Sequence, residues 1–267
     1  MNVYKYLKLN TNRVIPRVLP TIRPLGTLGL VLFVLSFPVK AFPQEETTTP
    51  KTFADWCLNK DSLSVETLRT VDAMLQEAGT TDCDQASSLL STLTQLFLNN
   101  NQITDLTPLS TLTNLNALSL ENNQITDLTP LSTLTNLTYL NLNNNQIVDI
   151  KPLSTLTNLD GLYLENNQVT DLTPLSTLTN LSALFLTNNQ VTDLTPLSTL
   201  TNLSALSLEN NQIAYLTPLS TLTNLAALNL NNNQITDLKP LSTLTNLTVL
   251  WLNDNQTCPV KPESICR

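Results

Sequence analysis

A unit of 22 residues repeats along most of this 267-residue chain, and no other feature limits the fold as strongly. Repeats of about 20 to 50 residues build elongated stacks, in which each unit packs mainly against its neighbours. One unit cannot bury its own leucines, so we expect a continuous core that runs through the stack. The frame Leu-x-x-Leu-x-Leu-x-x-Asn occurs eight times, beginning at Leu93, Leu115, Leu137, Leu159, Leu181, Leu203, Leu225 and Leu247.

Each unit predicts a short strand followed by a tight helical turn. In residues 118–120 two leucines alternate with Ser119, which predicts a strand whose leucines point inward and whose serine points outward. Asn123 follows where the chain must turn, and its amide is expected to hydrogen-bond to buried backbone of the adjacent unit. Thr107 and Pro108 predict the start of a helical turn, with the threonine as cap and the proline at the first helical position.

The frame matches the leucine-rich repeat, and the second half of the unit narrows the resemblance. That half reads Asp-Leu-Thr-Pro-Leu-Ser-Thr-Leu-Thr-Asn at residues 105–114. Over about residues 90–257 the chain resembles secreted bacterial leucine-rich repeat proteins of the internalin-like 22-residue type. The resemblance implies an α/β solenoid with a curved parallel sheet on its concave side and short 3-10 helical turns on its convex side. It also implies a protein that binds its partners on the concave face.

The ends of such a stack expose leucines and must be covered, which predicts a domain on each side of the eight repeats at residues 93–257. Residues 53–92 are predicted to form an N-terminal helical cap. Ser64 and Gly79 are suited to begin and end a helix that runs through Ala78. Residues 258–267 are predicted to form a C-terminal cap loop.

The first 41 residues predict an export signal. A basic stretch precedes an apolar run at residues 28–37, which is too short to span a bilayer, since a helix needs about 20 residues for that. Small or apolar residues then predict cleavage after Ala41. The alternative is an uncleaved N-terminal anchor. After cleavage we expect an exported protein (extracellular, cell-surface or periplasmic) without stable membrane insertion, which begins with a disordered linker at residues 42–52.

The four cysteines agree with export, since an even count in an exported chain indicates disulfides. We expect the bridges Cys57–Cys83 and Cys258–Cys266, because each pair lies at one end and the solenoid would separate the pairs by about 35 Å. A metal site is the weaker alternative, because the spacings are wide and no histidine is present to complete it.

Composition argues against catalysis and nucleic-acid binding. The chain contains no histidine, the commonest general base and metal ligand. Its net charge is −8, and residues 1–41 contribute +6, which leaves −14 for the remainder. A chain this acidic is repelled by phosphate backbones and by anionic lipid surfaces. We therefore expect no enzyme activity, no cofactor and no nucleic-acid partner.

The outward strand positions supply the candidate binding residues. Tyr139, Tyr163 and Phe185 lie in adjacent units, with Glu165 beside them and Asp160 at the edge of the group. Aromatic rings in adjacent strands can meet, and such a platform suits a protein loop or a sugar. The alternative is that aromatic residues simply favour strands, and that the aromatic residues of the first and last units, Phe97 and Trp251, meet the end caps.

A second period overlies the first. The residue between the strand leucines reads aromatic, Ser, Asn, aromatic twice, at Phe97, Ser119, Asn141, Tyr163 and then Phe185, Ser207, Asn229, Trp251. This 88-residue period indicates duplication of a four-unit block.

Glutamate recurs at every second unit, at Glu121, Glu165 and Glu209. These carboxylates are too widely spaced to bind one cation together. The preferred interpretation is that they form a solvated face.

The sequence thus predicts a non-catalytic binding module for a protein or, as second candidate, a glycan. The alternative is a structural protein of the cell envelope or extracellular matrix without a discrete ligand. A cluster of non-repeat residues on one face favours the first hypothesis, whereas near-identical repeats favour the second. Glycosylation sequons arise from the repeat itself, at Asn136, Asn180, Asn202 and Asn246.

Overall fold

The computed structural model describes residues 52–252, which form a leucine-rich repeat solenoid with an N-terminal helical cap. Within these residues eight parallel strands pair in chain order, each shifted by one 22-residue unit from the next. The predicted fold class is confirmed. The strands are β1 (Gln95–Phe97), β2 (Ala117–Ser119), β3 (Tyr139–Asn141), β4 (Gly161–Tyr163), β5 (Ala183–Phe185), β6 (Ala205–Ser207), β7 (Ala227–Asn229) and β8 (Val249–Trp251).

The core is a continuous column of leucines, as the repeat requires. In the second unit Leu118, at the centre of β2, and Leu120, just after the strand, are both inaccessible to solvent. Leu109 and Leu115 approach the same column from the turns and are equally buried. Each strand has only three residues, so packing between units rather than strand length stabilises the sheet.

Seven 3-10 turns lie between successive strands of the described chain, and each carries proline near its first position. The prediction of Thr107 as a cap is wrong, because Thr107 is the first residue of the turn and its N–H is a donor. That N–H donates to Oδ1 of Asp105 at 2.9 Å, so the aspartate two residues earlier acts as the cap. The turns span Thr107–Thr111, Thr129–Thr133, Lys151–Thr155, Thr173–Thr177, Thr195–Thr199, Thr217–Thr221 and Lys239–Thr243.

The aspartates of three later units show the electrostatic side of this cap. Hydrogen bonds from the hydroxyl and then the N–H of the following threonine lower the pKa of each carboxyl group below its ordinary value. The carboxyl groups with a lowered pKa are those of Asp127, Asp171 and Asp193.

A buried ladder of asparagines joins the units, as predicted for Asn123. In the next unit Nδ2 of Asn145 donates to the carbonyl oxygens of Leu120 and Leu142, both at 3.0 Å. Its Oδ1 accepts the N–H of Ile125 at 3.0 Å, so one side chain satisfies backbone groups of two units. Asn144 beside it has φ 56°, a left-handed conformation that asparagine tolerates. The ladder comprises Asn123, Asn145, Asn167, Asn189, Asn211 and Asn233.

The two ends of the predicted ladder differ from its middle. Asn101 donates through Nδ2 to the carbonyl oxygen of Asn99 in its own unit, because the cap precedes it rather than another repeat. Asn255, the last predicted member, lies outside the described residues.

Two further ladders run along the convex side. The hydroxyl of Thr133 donates to the carbonyl oxygen of Ser110 at 3.0 Å, and Nδ2 of Asn136 donates to that of Thr113 at 2.9 Å. The same asparagine bond recurs at every sequon, so these side chains have a structural role. The convex surface is therefore cross-linked from unit to unit.

The cap contains three helices and a short 3-10 turn at Lys60–Ser62. Helix α2 runs over Val65–Ala78 between the predicted caps, Ser64 and the left-handed Gly79. The other two, α1 at Phe53–Leu58 and α3 at Cys83–Thr92, are helices that the sequence analysis did not define.

The buried face of α2 differs slightly from a simple apolar stripe. Val71 and Met74 are fully buried, and Thr67 and Thr70 lie beside them. Both threonine hydroxyls donate to Asp105 of the first repeat at 2.6 Å, which fixes the cap to the solenoid.

A disulfide joins the first and third helices of the cap through Cys57 and Cys83, whose Cα atoms are 5.5 Å apart. Thr52, placed by the sequence in the linker, instead caps α1 through a reciprocal pair of hydrogen bonds with Asp55. The predicted signal peptide, Cys258, Cys266 and the C-terminal cap loop lie outside the described residues. Among the described helices none is both long and apolar enough to span a bilayer.

Candidate binding surface on the concave sheet face

Three aromatic side chains form a row across the middle of the outward, concave sheet face. The rings of Tyr163 on β4 and Phe185 on β5 are stacked, with centroids 4.9 Å apart and planes 5° from parallel. Tyr139 on β3 lies 5.1 Å from Tyr163 at a tilt of 45°. All three rings are half-buried. The structure therefore brings together the three aromatic residues that the sequence analysis selected.

Gly161 gives room to this row, and the sequence analysis missed it. Pairing places Gly161 beside Tyr139 on one strand and Ala183 on the other. A Cβ atom at Gly161 would lie 3.3 Å from Cε2 of Tyr163 and 3.7 Å from Cδ2 of Tyr139. The glycine thus lets both tyrosine rings lie over β4. The signal in the sequence was its occurrence at a strand position that holds alanine in four other units.

The glutamates beside the row are held in place by asparagine amides. Asn143 donates through Nδ2 to Oε2 of Glu165 at 3.0 Å and accepts the Glu165 N–H through Oδ1 at 2.7 Å. In the other two cases the amide comes from the following strand, with Nδ2 to Oε2 distances of 3.1 Å for Asn141–Glu121 and 2.8 Å for Asn229–Glu209. The three side chains are half-buried, so the interpretation as a freely solvated face is wrong.

Tyr139 has a perturbed hydroxyl group. Burial raises its pKa, and nearby Tyr163 and Glu121 add smaller effects in the same direction, against a lowering by a hydrogen bond with Asn141. The hydroxyl is protonated at neutral pH, as an ordinary tyrosine is, and it can donate a hydrogen bond to a ligand.

The outward serines are more covered than expected. Ser119 is only 4% exposed, and its hydroxyl donates to Oδ1 of Asn99 at 2.7 Å. The hydroxyls of Ser207 and Thr187 pair in the same way at 2.8 Å. The prediction that Ser119 points away from the core holds, but neighbouring side chains shield it from water.

The remaining predicted residues lie around this centre. Phe97 on β1 is 49% exposed, so the N-terminal cap does not enclose it. Trp251 on β8 is half-buried, and Asp160 is exposed just before β4. Residues 253–267 are not described, so the expected contact of Trp251 with the C-terminal cap stays a prediction.

Charge on the described concave face has one sign. Its ionised side chains are Glu121, Asp160, Glu165 and Glu209, whereas the basic residues of the described range, Lys60, Arg69, Lys151 and Lys239, belong to the cap and the 3-10 turns. Between residues 52 and 252 no three side chains of the metal-binding types gather at one point.

Comparison with known proteins agrees with this architecture. A family model described as leucine-rich repeats (2 copies) matches residues 91–133, 135–177 and 223–262. No curated protein sequence matches at a significant level.

Solved structures give a more detailed match. An internalin, inlC2, from Listeria monocytogenes is 36% identical with a TM-score of 0.54, over 68% of this chain and 91% of that one. A second internalin of that organism, inlF, is 34% identical with a TM-score of 0.65, over 69% of this chain and 55% of that one. A leucine-rich repeat protein of Leptospira interrogans is 29% identical with a TM-score of 0.55, over 68% of this chain and 56% of that one.

The matched region thus spans little more than half the length of two of these proteins and nearly all of the third. The repeat frame, the eight-stranded sheet with its 3-10 turns, and the identity to inlC2 agree with one another. The chain belongs to the internalin-like leucine-rich repeat proteins.

Proposed function

We propose that this chain is a non-catalytic module that binds a partner protein through the concave face, at Tyr139, Tyr163, Phe185 and Glu165. The observation that carries the proposal is the aromatic row over Gly161. An added Cβ would lie 3.3 Å from the Tyr163 ring, closer than an ordinary van der Waals contact, so glycine gives the row more room than alanine would. Partly exposed, mutually packed rings supply contact area at low entropic cost, and such residues dominate many interfaces.

Ring stacking favours a protein partner over a glycan. A sugar binds by lying on the face of an aromatic ring, and stacking closes to it the two faces that Tyr163 and Phe185 turn toward each other. The carboxylate of Glu165 and the hydroxyl of Tyr139 add polar groups of the kind that fix the orientation of a protein loop.

Export supports the same role. The signal predicted at residues 1–41 and the Cys57–Cys83 disulfide both fit an oxidising compartment outside the cytosol. A purely structural envelope protein would gain nothing from a unique aromatic cluster in the middle of a repetitive surface, which makes that alternative the weaker one.

The binding surface is tested by changing Tyr163→Ser and Phe185→Ser together. The partner is first isolated from a native extracellular fraction with the wild-type chain, identified by mass spectrometry, and then titrated. The double change should lower its affinity by about 2 kcal/mol or more, roughly thirtyfold. The thermal transition should hardly move, because Ser119 and Ser207 already occupy the same strand position.

Val148→Ser is the matched control, since it removes an exposed apolar side chain that lies outside the strands. It should leave the affinity unchanged. Undiminished binding by the double variant would place the interface elsewhere on the molecule.

Export is tested by N-terminal sequencing of the secreted protein, which should begin at Phe42 after cleavage behind Ala41. Membrane-bound protein that retains Met1 would instead support the uncleaved anchor.

A further inference from the structure

We propose that the concave face carries two equivalent subsites, each of which binds a guanidinium or ammonium group of the partner. This inference rests on the proposed function and specifies the partner's chemistry. Each subsite consists of a phenylalanine ring, a small serine on the next strand and a glutamate two residues beyond that serine. The members are Phe185, Ser207 and Glu209 in one subsite, and Phe97, Ser119 and Glu121 in the other.

The first subsite is open because of the way the aromatic row ends. Tyr163 stacks on one face of the Phe185 ring, so the opposite face is directed away from β4, toward β6. There Phe185 pairs with Ser207, and Ala205 is the other outward residue of that strand. Neither side chain is large enough to cover a phenyl ring. Ser207 itself is shielded from water by its neighbours, so a planar or compact group can lie on the outer part of the ring rather than against the serine.

The carboxylate of this subsite is already positioned. Glu209 follows Ser207 by two residues and so lies on the same face of the sheet. Its Oε2 accepts a hydrogen bond from Nδ2 of Asn229 at 2.8 Å, which restrains the side chain and leaves Oε1 available. A restrained carboxylate loses less rotamer entropy when a ligand binds.

The second subsite repeats the first after 88 residues. Phe97 pairs with Ser119, Glu121 follows by two residues, and Nδ2 of Asn141 donates to Oε2 of Glu121 at 3.1 Å. Phe97 is 49% exposed, although it lies on the strand nearest the cap. The block duplication therefore produced two copies of one arrangement.

A cation is the group that fits both walls of each subsite. Lys and Arg side chains are attracted to the face of an aromatic ring and to a carboxylate at the same time. The described strands supply no lysine or arginine of their own, and the basic residues between positions 52 and 252 lie in the cap and the 3-10 turns. A basic segment of the partner would also complement the negative charge of the whole face.

Glu165 shows that a carboxylate on the concave face does not by itself form a subsite. Its carboxylate also accepts from an asparagine amide, here that of Asn143 beside the preceding strand. The residue two positions before it is Tyr163, and Asn141 occupies the place of the phenylalanine on the preceding strand. Glu165 therefore has the carboxylate of a subsite but lacks its open ring face.

The spacing of the subsites defines the partner further. Four strand intervals of about 4.8 Å separate them by about 19 Å, with the aromatic row between. An extended chain advances about 3.3 Å per residue, so two basic side chains about six residues apart can occupy both subsites. The expected partner is a protein segment with this pair of basic residues.

Three synthetic peptides test the proposal on the full mature chain. The first is capped Arg-Gly-Ser-Gly-Ser-Gly-Arg, the second carries citrulline in place of one arginine, and the third in place of both. Citrulline keeps the shape of arginine but lacks its charge. Titrations followed by NMR at the backbone amides of Ser119 and Ser207 should show the two-arginine peptide binding at least about tenfold tighter than the two-citrulline peptide.

Glutamate-to-glutamine variants then show which carboxylates contribute to the affinity for the peptide. Glu209→Gln and Glu121→Gln each keep an oxygen acceptor for the asparagine, and each should reduce the affinity of the two-arginine peptide to about that of the one-arginine peptide. Asp160→Asn should change it by less than about twofold, because it removes one negative charge from a position just before β4 that belongs to neither subsite. Unchanged thermal transitions will show that the variants are folded.

Equal binding of the three peptides, or no binding of any, overturns the proposal. An equal loss from Asp160→Asn and Glu209→Gln also overturns it, since the attraction would then come from diffuse charge. None of these results bears on the proposed function, which fails only if the Tyr163→Ser, Phe185→Ser variant keeps its partner.

Discussion

The convex and concave faces are built from the same 22-residue unit, yet the concave face varies far more than the convex one. On the convex side every 3-10 turn contains Pro-Leu-Ser-Thr, whereas the concave position between the inward leucines changes among phenylalanine, serine, asparagine, tyrosine and tryptophan. Hydrogen bonds such as Thr133 to Ser110 and Asn136 to Thr113 explain the difference, because each convex side chain holds the preceding unit. The concave side chains mostly need only point outward, so that face can change its chemistry without disturbing the stack.

The largest effect should come from the core that both faces share. Leu162 at the centre of β4 is fully buried, and Leu162→Ala should lower the free energy of unfolding by about 2–5 kcal/mol through lost burial and a cavity. Ser119→Ala should cost only about 0.5–1.5 kcal/mol, for the loss of its hydrogen bond to Asn99. Urea unfolding measures both, and equal effects would mean that the strand faces are assigned incorrectly.

An intermediate effect is expected from the asparagines, because losing one should cost more stability in the buried ladder than in the convex one. Asn167→Ala leaves the N–H of Ile147 and the carbonyl oxygens of Leu142 and Leu164 without their amide partner, at a cost of roughly 1–3 kcal/mol. Asn158→Ala removes one exposed bond to the carbonyl oxygen of Thr135, where water can replace it, and should cost less than about 1 kcal/mol.

The two asparagine variants are compared by the midpoint of urea unfolding. Similar midpoints for both would show that the buried ladder contributes no more than the convex one.

The smallest effect concerns the 3-10 turn at Thr217–Thr221, which lacks its capping aspartate. Tyr215, 80% exposed, occupies the position that holds aspartate in the other units, so the N–H of Thr217 lacks that acceptor. Tyr215→Asp should restore it and stabilise the chain by roughly 0.5 kcal/mol at neutral pH. Hydrogen bonding lowers the pKa of the equivalent carboxyl groups, so the gain should be present above the unfolded pKa near 3.8 and disappear as the pH falls through the lowered value.

Tyr215→Asn is the control for this titration, because its oxygen accepts the same bond without a carboxyl group. The gain from the asparagine should persist at acid pH, whereas that from the aspartate should fall as its carboxylate is protonated. Thermal transitions at neutral and acid pH measure both. A pH-independent gain from the aspartate would show that the charge of the carboxylate adds nothing to the capping bond.

The repeat made the architecture predictable, because leucine at fixed intervals leaves few ways to bury the chain. Outside the repeat the prediction was less complete: α3 has a weak apolar pattern, with only Ala86 and Leu90 buried, and was not recognised as a helix. On the concave face the aromatic residues were selected correctly as neighbours, but Gly161 was not, since its role depends on where two rings lie. The cover over Ser119 and the cap function of Asp105 likewise depend on contacts between side chains and backbone that spacing does not reveal.

The buried asparagine ladder gives the solenoid a direction. Ile125 donates its N–H to Asn145, which lies 20 residues later in the chain, so the turn of each unit is completed by the unit that follows it. A chain that emerges from a ribosome therefore always has one unfinished turn, at its growing end, however many units have already folded. Since this end cost is the same for a short stack and a long one, units can be gained or lost during evolution while the stability of the end stays constant, and the length of the binding surface becomes freely adjustable.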